Sequence, residues 1–129
     1  MNKLLSRVFS NMLLPAIMLI SLNSCEYKFI EVDLPDPNIT VSFQNNILPI
    51  FTASNNCTAC HKSGSTAPDL TTDNAYSSIV PLLINYENPE LSKIYAVPNP
   101  SSASHGFKKY TQVQAAQVLN WIVQGAENN

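Results

Sequence analysis

The sequence predicts a small all-α domain with long loops, for two reasons. Apolar residues recur at helical spacing in four segments of residues 41–129, and no segment there alternates polar and apolar residues over a useful strand length. About 105 residues remain after the N-terminal leader, which is enough for one domain at most. A domain of this size buries a modest core, so a large cofactor or a cross-link would be expected to stabilise it.

Residues 1–24 have the pattern of a bacterial lipoprotein signal peptide. Lys3 and Arg7 give a basic start, and the apolar run over residues 12–22 is too short to span a bilayer as a helix. The run ends in "LNSC", which resembles a lipobox. The resemblance implies cleavage before Cys25 and lipidation of Cys25. An ordinary secretory leader followed by an unrelated cysteine is the alternative.

The predicted mature chain, residues 25–129, has no arginine, five lysines and nine acids, and therefore a formal net charge of −4. This charge argues against a nucleic-acid partner, because no basic surface is available to neutralise phosphates. It also means that membrane attachment would depend on acyl chains. Residues 25–40 are acidic and contain prolines, which is typical of a tether. We therefore expect a membrane-anchored lipoprotein outside the cytoplasm, at the periplasmic face or the cell surface.

The first predicted helix lies within residues 41–54. Ser42 is a plausible N-cap, and Pro49 is expected to break or kink the second half of the helix. The apolar positions that predict the helix are Phe43, Ile47, Ile50 and Phe51.

The second predicted helix lies within residues 71–85, with Thr72 or Asp73 as its cap and Pro81 inside it. Its apolar positions are Ala75, Ile79, Leu82 and Leu83. A third, short helix is expected to start at Pro89, since proline suits the first helical turn.

The last predicted helix lies within residues 111–126 and has the clearest boundary signals. Thr111 and Gln114 have the spacing of a capping box, and Gly125 supplies a C-terminal stop. One apolar face is formed by Ala115, Val118, Leu119 and Ile122. A polar loop, residues 97–110, precedes this helix.

The chemistry is concentrated in the motif Cys57-Thr58-Ala59-Cys60-His61. A structural zinc site would need four ligands, which usually come from two separated pairs. Outside the motif only His105 is a good candidate, so a second pair is lacking. A thioredoxin-like motif would follow a strand, and none is predicted. A Cys57–Cys60 disulfide is chemically possible but closes a ring too short to stabilise the fold much.

Covalent attachment of one c-type haem uses all three residues of the motif. The two thiols become thioethers on the haem vinyl groups, and the histidine directly after Cys60 reaches the iron from one side. Such attachment takes place outside the cytoplasm, in agreement with the predicted leader. A covalently held macrocycle would also supply the apolar core that a short chain lacks.

With its flanking helices, the motif resembles small monohaem cytochrome c-like domains of bacterial lipoproteins. The resemblance covers residues 41–129 and includes "LNWIVQGAENN" at the end of the last helix. It implies a bundle of about four helices around the haem, with a contact between Phe51 and Trp121. It also implies that the Pro68 carbonyl accepts a hydrogen bond from His61, the proximal iron ligand.

The sequence departs from this family in its distal ligand. Cytochromes c of the common type use a methionine there, but all three methionines, Met1, Met12 and Met18, lie in the predicted signal peptide. His105 is the only other histidine and lies in the expected loop, next to Gly106. We therefore predict that His105 is the distal ligand, with five-coordinate iron, or iron bound by water or a lysine amine, as the alternative.

The expected function is electron transfer rather than enzymatic catalysis, because no acid–base or nucleophilic constellation is evident. Redox partner proteins are the expected partners, and Lys108 and Lys109 beside the distal loop are candidates for orienting them. Two other functions stay open. An uncovered iron would give a ligand-binding or peroxidatic site, and a non-haem lipoprotein with a Cys57–Cys60 disulfide would be an adaptor.

Overall fold

The computed structural model describes residues 35–129, which belong to one compact unit, Val32–Asn129. This part of the chain contains helices and turns and no β-strand, so the predicted all-α class is confirmed for it. The predicted signal peptide, Cys25 and most of the predicted tether lie outside the described residues.

No helix within residues 35–129 is long and apolar enough to span a bilayer.

Helix α1 consists of a π-helical segment, Phe43–Ile47, and an α-helical segment, Leu48–Thr52. Ser42 caps it as predicted, because its Oγ accepts a hydrogen bond from the Asn45 N–H at 3.1 Å. Pro49 lies in the first turn of the α-helical segment, and the chain is helical on both sides of it. The helix therefore changes from π to α geometry just before the proline instead of ending there.

Helix α2, Ala75–Ile79, is shorter than its apolar pattern predicts. It ends where Val80 adopts an extended conformation, with a ψ of 126°, because a residue that precedes a proline is disfavoured in helical geometry. Leu82 is consequently 76% exposed rather than part of the buried face. The predicted caps, Thr72 and Asp73, are also wrong, since Asn74 occupies the N-cap position without a side-chain capping bond.

Asp69 organises the approach to helix α2. Its carboxylate accepts hydrogen bonds from the Thr71 N–H at 3.0 Å, the Thr71 hydroxyl at 2.6 Å and the Asn74 side-chain amide at 3.0 Å. The two bonds from Thr71, which favour the charged carboxylate, are the main reason that the pKa of Asp69 lies below its ordinary value.

Asp69→Asn is expected to make folding stability less dependent on pH in the acid range. Because the pKa of Asp69 is lower in the folded state, its ionisation stabilises the folded protein at pH values above the unfolded-state pKa of about 3.9. This stabilisation is lost as the pH falls through the folded-state pKa. Urea midpoints measured between about pH 3 and pH 6 should show the wild type losing its advantage over the variant as pH falls. Asp73→Asn removes an exposed carboxylate from the same turn and is the matched control. An equal pH dependence of Asp69→Asn and the wild type would contradict the prediction.

The segment that starts at Pro89 forms two short elements instead of one helix. A 3₁₀ turn, Pro89–Leu91, is followed by helix α3, Lys93–Ala96. Between them Ser92 has a ψ of 126° and is almost fully buried. Its hydroxyl accepts a hydrogen bond from the Asn85 N–H at 2.9 Å. This bond ties the segment to the loop after α2 at the point where the helical geometry is interrupted.

Helix α4, Gln112–Val123, has the predicted signals at both ends. Thr111 and Gln114 form the capping box, with the reciprocal bonds at 3.1 and 2.9 Å. At the other end Gly125 has a φ of +104°, and two hydrogen bonds close the turn, Gly125 N–H to the Ile122 carbonyl and Ala126 N–H to the Trp121 carbonyl. These bonds are those of a Schellman motif.

The residues after α4 hold the start of α1. The Asn129 side chain and backbone oxygens accept bonds from the Phe43 N–H at 2.8 Å and the Gln44 N–H at 3.0 Å. Gln124 accepts a bond from the Val41 N–H at 2.8 Å and donates to the Pro37 and Ile39 carbonyls. The two ends of residues 35–129 are therefore joined by hydrogen bonds.

An aromatic cluster connects α1, α2 and α4 in the core. The Phe43 ring lies 5.3 Å from the Trp121 ring and 5.1 Å, edge-on, from the Tyr76 ring. The family resemblance implies a contact between Phe51 and Trp121. Phe51 is fully buried in the same core. The aromatic ring that packs against Trp121 at 5.3 Å is that of Phe43. The cavity described below lies outside this core. It is bounded by the Cys–His motif, by α3 and by the loop before α4.

Candidate haem site

The Cys–His motif forms a single helical turn after α1. The Cys57 N–H donates to the Phe51 carbonyl at 2.8 Å, which places the turn directly against the end of α1. The Cys60 and His61 N–H groups both donate to the Cys57 carbonyl, at 3.2 and 2.9 Å. Residues three and four apart share one face of such a turn, so the three side chains required for haem attachment lie on one side.

That side lines a cavity of about 680 Å³. The motif forms one wall, and the loop residues 105–110 form another. Its apolar lining includes Leu70, Leu83, Ile94, Val97, Pro98 and Tyr110. A largely apolar cavity of several hundred Å³ with a few polar groups is the usual form of a cofactor site.

The two histidines face each other across this cavity. Their imidazole centroids are 6.0 Å apart and their planes differ by 22°. The fold thus brings His61 and His105, which are 44 positions apart in sequence, close together in the lining of one cavity.

One ring nitrogen of each histidine is buried without a hydrogen-bond partner in the described part of the chain. The Nδ1 atoms of His61 and His105 are buried and have no hydrogen-bond partner among residues 35–129. A buried imidazole nitrogen without a partner costs free energy, and buried polar groups in native proteins are nearly always satisfied. For His61, the Pro68 carbonyl expected from the family resemblance would be such a partner.

Residues 35–129 contain no group of three or more His, Cys, Asp or Glu side chains arranged to hold a metal ion by themselves. A haem iron does not require such a group, because the porphyrin supplies four of its ligands and the protein supplies the axial ones. The donors that line the cavity are two thiols and two imidazoles, and these residues could hold a haem.

The two thiols of the motif have different environments. Cys57 is half-buried and Cys60 is exposed, and no disulfide joins them. Burial raises the pKa of the Cys57 thiol, and the positive charge of Lys108 lowers it by a smaller amount. Lys108 and Cys57 both line the cavity.

His105 lies on a loop, residues 98–110, whose ends are adjacent. The Tyr110 N–H donates to the Pro98 carbonyl at 2.9 Å and closes the loop at its base. The hydrogen bonds made by residues 99–109 stay within the loop, as in the bonds of Asn99 with Ser101 and of Ser102 with Ser104. None of the residues 99–109 is fully buried. The loop is thus held mainly at its base.

Tyr110 is a site residue that the sequence reasoning missed. It is 5% exposed, lines the cavity, and donates its hydroxyl to the Ile94 carbonyl at 2.8 Å. Burial, with a smaller contribution from Cys57, raises the pKa of Tyr110, so its hydroxyl stays a donor. A signal was available, because Tyr110 directly precedes the Thr111 cap and Ala115 follows at the spacing of a hydrophobic staple.

Pro68 lies in the cavity lining together with His61. Its proposed role as acceptor of a hydrogen bond from the proximal imidazole stays a prediction, since the His61 Nδ1 atom has no partner within the described residues. Cys25, the residue predicted to carry a lipid, lies outside these residues.

Comparison of the chain with protein-family models, curated proteins and solved structures finds no match.

Proposed function

We propose that this protein is a lipid-anchored c-type cytochrome that carries single electrons on one covalently bound haem. The observation that carries the proposal is the position of His61 and His105 across one apolar cavity, 6.0 Å apart, with both cysteines of the motif in its lining. The cysteine–histidine spacing and the predicted export signal support the same function independently.

Each residue has a defined role in this proposal. Cys57 and Cys60 tether the haem through thioether bonds, and the helical turn places His61 on the same side for proximal ligation. His105 ligates from the distal side. The apolar lining, including Leu70 and Ile94, excludes water and lowers the local dielectric.

A haem held by Cys57, Cys60, His61 and His105 would supply one-electron redox chemistry. An electron carrier needs no acid–base group, and the proposed protein is therefore not an enzyme. Two axial imidazoles would favour a lower potential than the methionine–histidine pair, which raises it. Lipidation of Cys25 would hold the carrier at a membrane outside the cytoplasm, facing soluble or membrane-bound redox partners.

Combined Cys57→Ser and Cys60→Ser substitution is expected to abolish covalent haem attachment. The wild type, expressed with haem-attachment machinery, should carry one haem on the peptide that contains residues 57–60, as measured by mass spectrometry. Cys25→Ser is the matched control, because it removes the proposed lipid and should leave the haem adduct intact. A wild-type peptide that carries no haem and has lost its two thiol hydrogens would contradict the proposal and favour the disulfide-containing adaptor.

A second candidate function, binding of a small ligand or peroxide at the iron, is favoured by one observation. Hydrogen bonds made by residues 99–109, which carry His105, stay within the loop, and such segments open at low free-energy cost. Opening would free the distal position. Rapid CO binding by the reduced wild-type protein would favour this function over simple electron transfer.

A further inference from the structure

The loop that carries His105 is closed at two levels. At its base, the Tyr110 N–H donates to the Pro98 carbonyl at 2.9 Å. Above the base, the Lys109 ammonium donates to the Ser102 carbonyl, seven positions earlier in the sequence. Within the described residues, no other hydrogen bond joins the two arms of this loop on either side of His105. The Lys109 bond therefore connects the arms close to the proposed distal ligand.

The two arms differ in their own hydrogen bonds. In the arm before His105, the Asn99 side chain accepts from the Ser101 N–H at 3.0 Å and the Ser101 hydroxyl at 2.7 Å. The Ser102 hydroxyl accepts from the Ser104 N–H at 3.1 Å. The three residues that follow His105 make no hydrogen bond in the described part of the chain. The Lys109 bond thus attaches the arm without internal bonds to the arm that has them.

The neighbours of His105 on the loop are exposed. Ser104 and Gly106 flank it at the surface, and Phe107 is 97% exposed. Apart from its chain neighbours, no described residue has an atom within 4 Å of the position that a Gly106 Cβ would occupy. The shape of the loop, and not a packed core segment, therefore determines where the His105 ring lies.

This shape should govern how often the His105 ring occupies the distal position. A ligand on a tethered segment acts with an effective concentration that depends on the reach and stiffness of the segment. A bond between the arms removes conformations in which the ring lies away from the cavity, so less conformational entropy is lost when the ring binds. Such a bond favours the internal imidazole over an external ligand that competes for the same position.

We infer that Lys109 is a positioning residue for His105 and acts through its hydrogen bond to the Ser102 carbonyl. The inference rests on the proposed function. With the bond formed, the His105 ring stays at the distal position and external ligands bind slowly. With the bond broken, the loop opens more often and external ligands gain access. Lys109 thereby sets the balance between the electron carrier and the ligand-binding site considered above.

The rate of CO binding to the reduced, haem-loaded protein measures this balance. CO is uncharged, so the charge of a lysine has no direct effect on its approach. At low CO concentration the rate is proportional to the fraction of molecules in which His105 has left the distal position. Lys109→Ala is expected to raise this rate by about threefold to tenfold, which corresponds to the loss of one hydrogen bond. Stopped-flow absorbance measures the rate.

Two further variants serve as controls. Lys108→Ala removes the same charge from the adjacent position, where the side chain makes no hydrogen bond within the described residues, and should change the CO rate less than about twofold. Lys109→Arg keeps a cationic donor and should return the rate to within about twofold of the wild type. The ferric spectrum of Lys109→Ala should stay low-spin, because His105 itself is retained. A high-spin spectrum would overturn the inference by showing that Lys109 is itself the distal ligand.

The His105→Ala background separates positioning from a direct effect of Lys109. Because the ring is absent there, adding Lys109→Ala should change the CO rate less than about twofold. Equal acceleration in both backgrounds would overturn the inference, since Lys109 would then act on the haem or on entry to the cavity. An unchanged CO rate in Lys109→Ala alone would also overturn it.

Failure of the proposed function would give a different result. A wild type without a haem adduct on residues 57–60 would overturn the proposed function and this inference with it. A haem-loaded wild type whose low-spin spectrum depends on His105, but whose CO rate does not respond to Lys109→Ala, would overturn the inference alone.

Discussion

His105→Ala is expected to change the ferric spectrum of the haem-loaded protein from low-spin to high-spin at neutral pH. The imidazole centroids of His61 and His105 are 6.0 Å apart, and His105 is the only histidine besides His61. Residues 25–129 contain no methionine to replace it. Removing the His105 ring would remove the proposed distal ligand, and weak-field water or an open position should remain. Visible absorption and electron paramagnetic resonance spectra measure the change.

The same variant should bind added imidazole and CO much more readily than the wild type, because no internal ligand has to be displaced first. Imidazole should restore the low-spin spectrum.

His105→Met should retain six-coordination and raise the reduction potential by on the order of 0.1 V, since methionine–histidine ligation raises the potential of haem.

Ser104→Ala alters an exposed neighbour in the same loop and is the matched control. It should keep the wild-type spectrum and potential. A high-spin wild-type spectrum at neutral pH would show that His105 is not the distal ligand. A low-spin spectrum that His105→Ala leaves unchanged would lead to the same conclusion.

Trp121→Ala is expected to lower the free energy of unfolding by about 3–5 kcal/mol, the usual cost of removing a buried aromatic side chain. The Trp121 side chain is 1% exposed, packs against Phe43 and donates a hydrogen bond from Nε1 to the Glu127 carbonyl at 2.9 Å. Its loss therefore leaves a cavity beside Phe43 and removes the hydrogen bond to Glu127. A domain stable by about 5–15 kcal/mol would lose a large part of its stability.

Urea denaturation followed by far-UV circular dichroism measures this loss. Val123→Ala, in the same helix but 66% exposed, is the control and should change stability by less than about 0.5 kcal/mol. Trp121→Phe should retain the aromatic packing and lose mainly the hydrogen bond, at a cost of about 1 kcal/mol. A loss below about 1 kcal/mol in Trp121→Ala would contradict the packing described for α1 and α4.

The short-range features of the site were predictable because they depend on neighbours in sequence. Cys57, Cys60 and His61 share one helical turn, and the spacing alone predicts that their side chains lie on one side. Helix ends with capping side chains were predictable for the same reason, as at Ser42 and Thr111.

Helix lengths were less predictable where a local rule competed with the apolar pattern. Apolar spacing extends through Leu82 and Leu83, but α2 ends at Ile79. The extended conformation that Pro81 imposes on Val80 prevails over the pattern, since a proline removes a helical bond and clashes with the preceding residue.

The sequence by itself determined the all-α class and the caps of the first and last helices, because each depends on interactions over a few positions. Only the tertiary structure decided that His105 lies 6.0 Å from His61, that Phe43 packs against Trp121 and that Lys93 joins Lys108 at one cavity. These arrangements join distant segments. They follow from how the helices pack and how the loops close, and no local spacing encodes them.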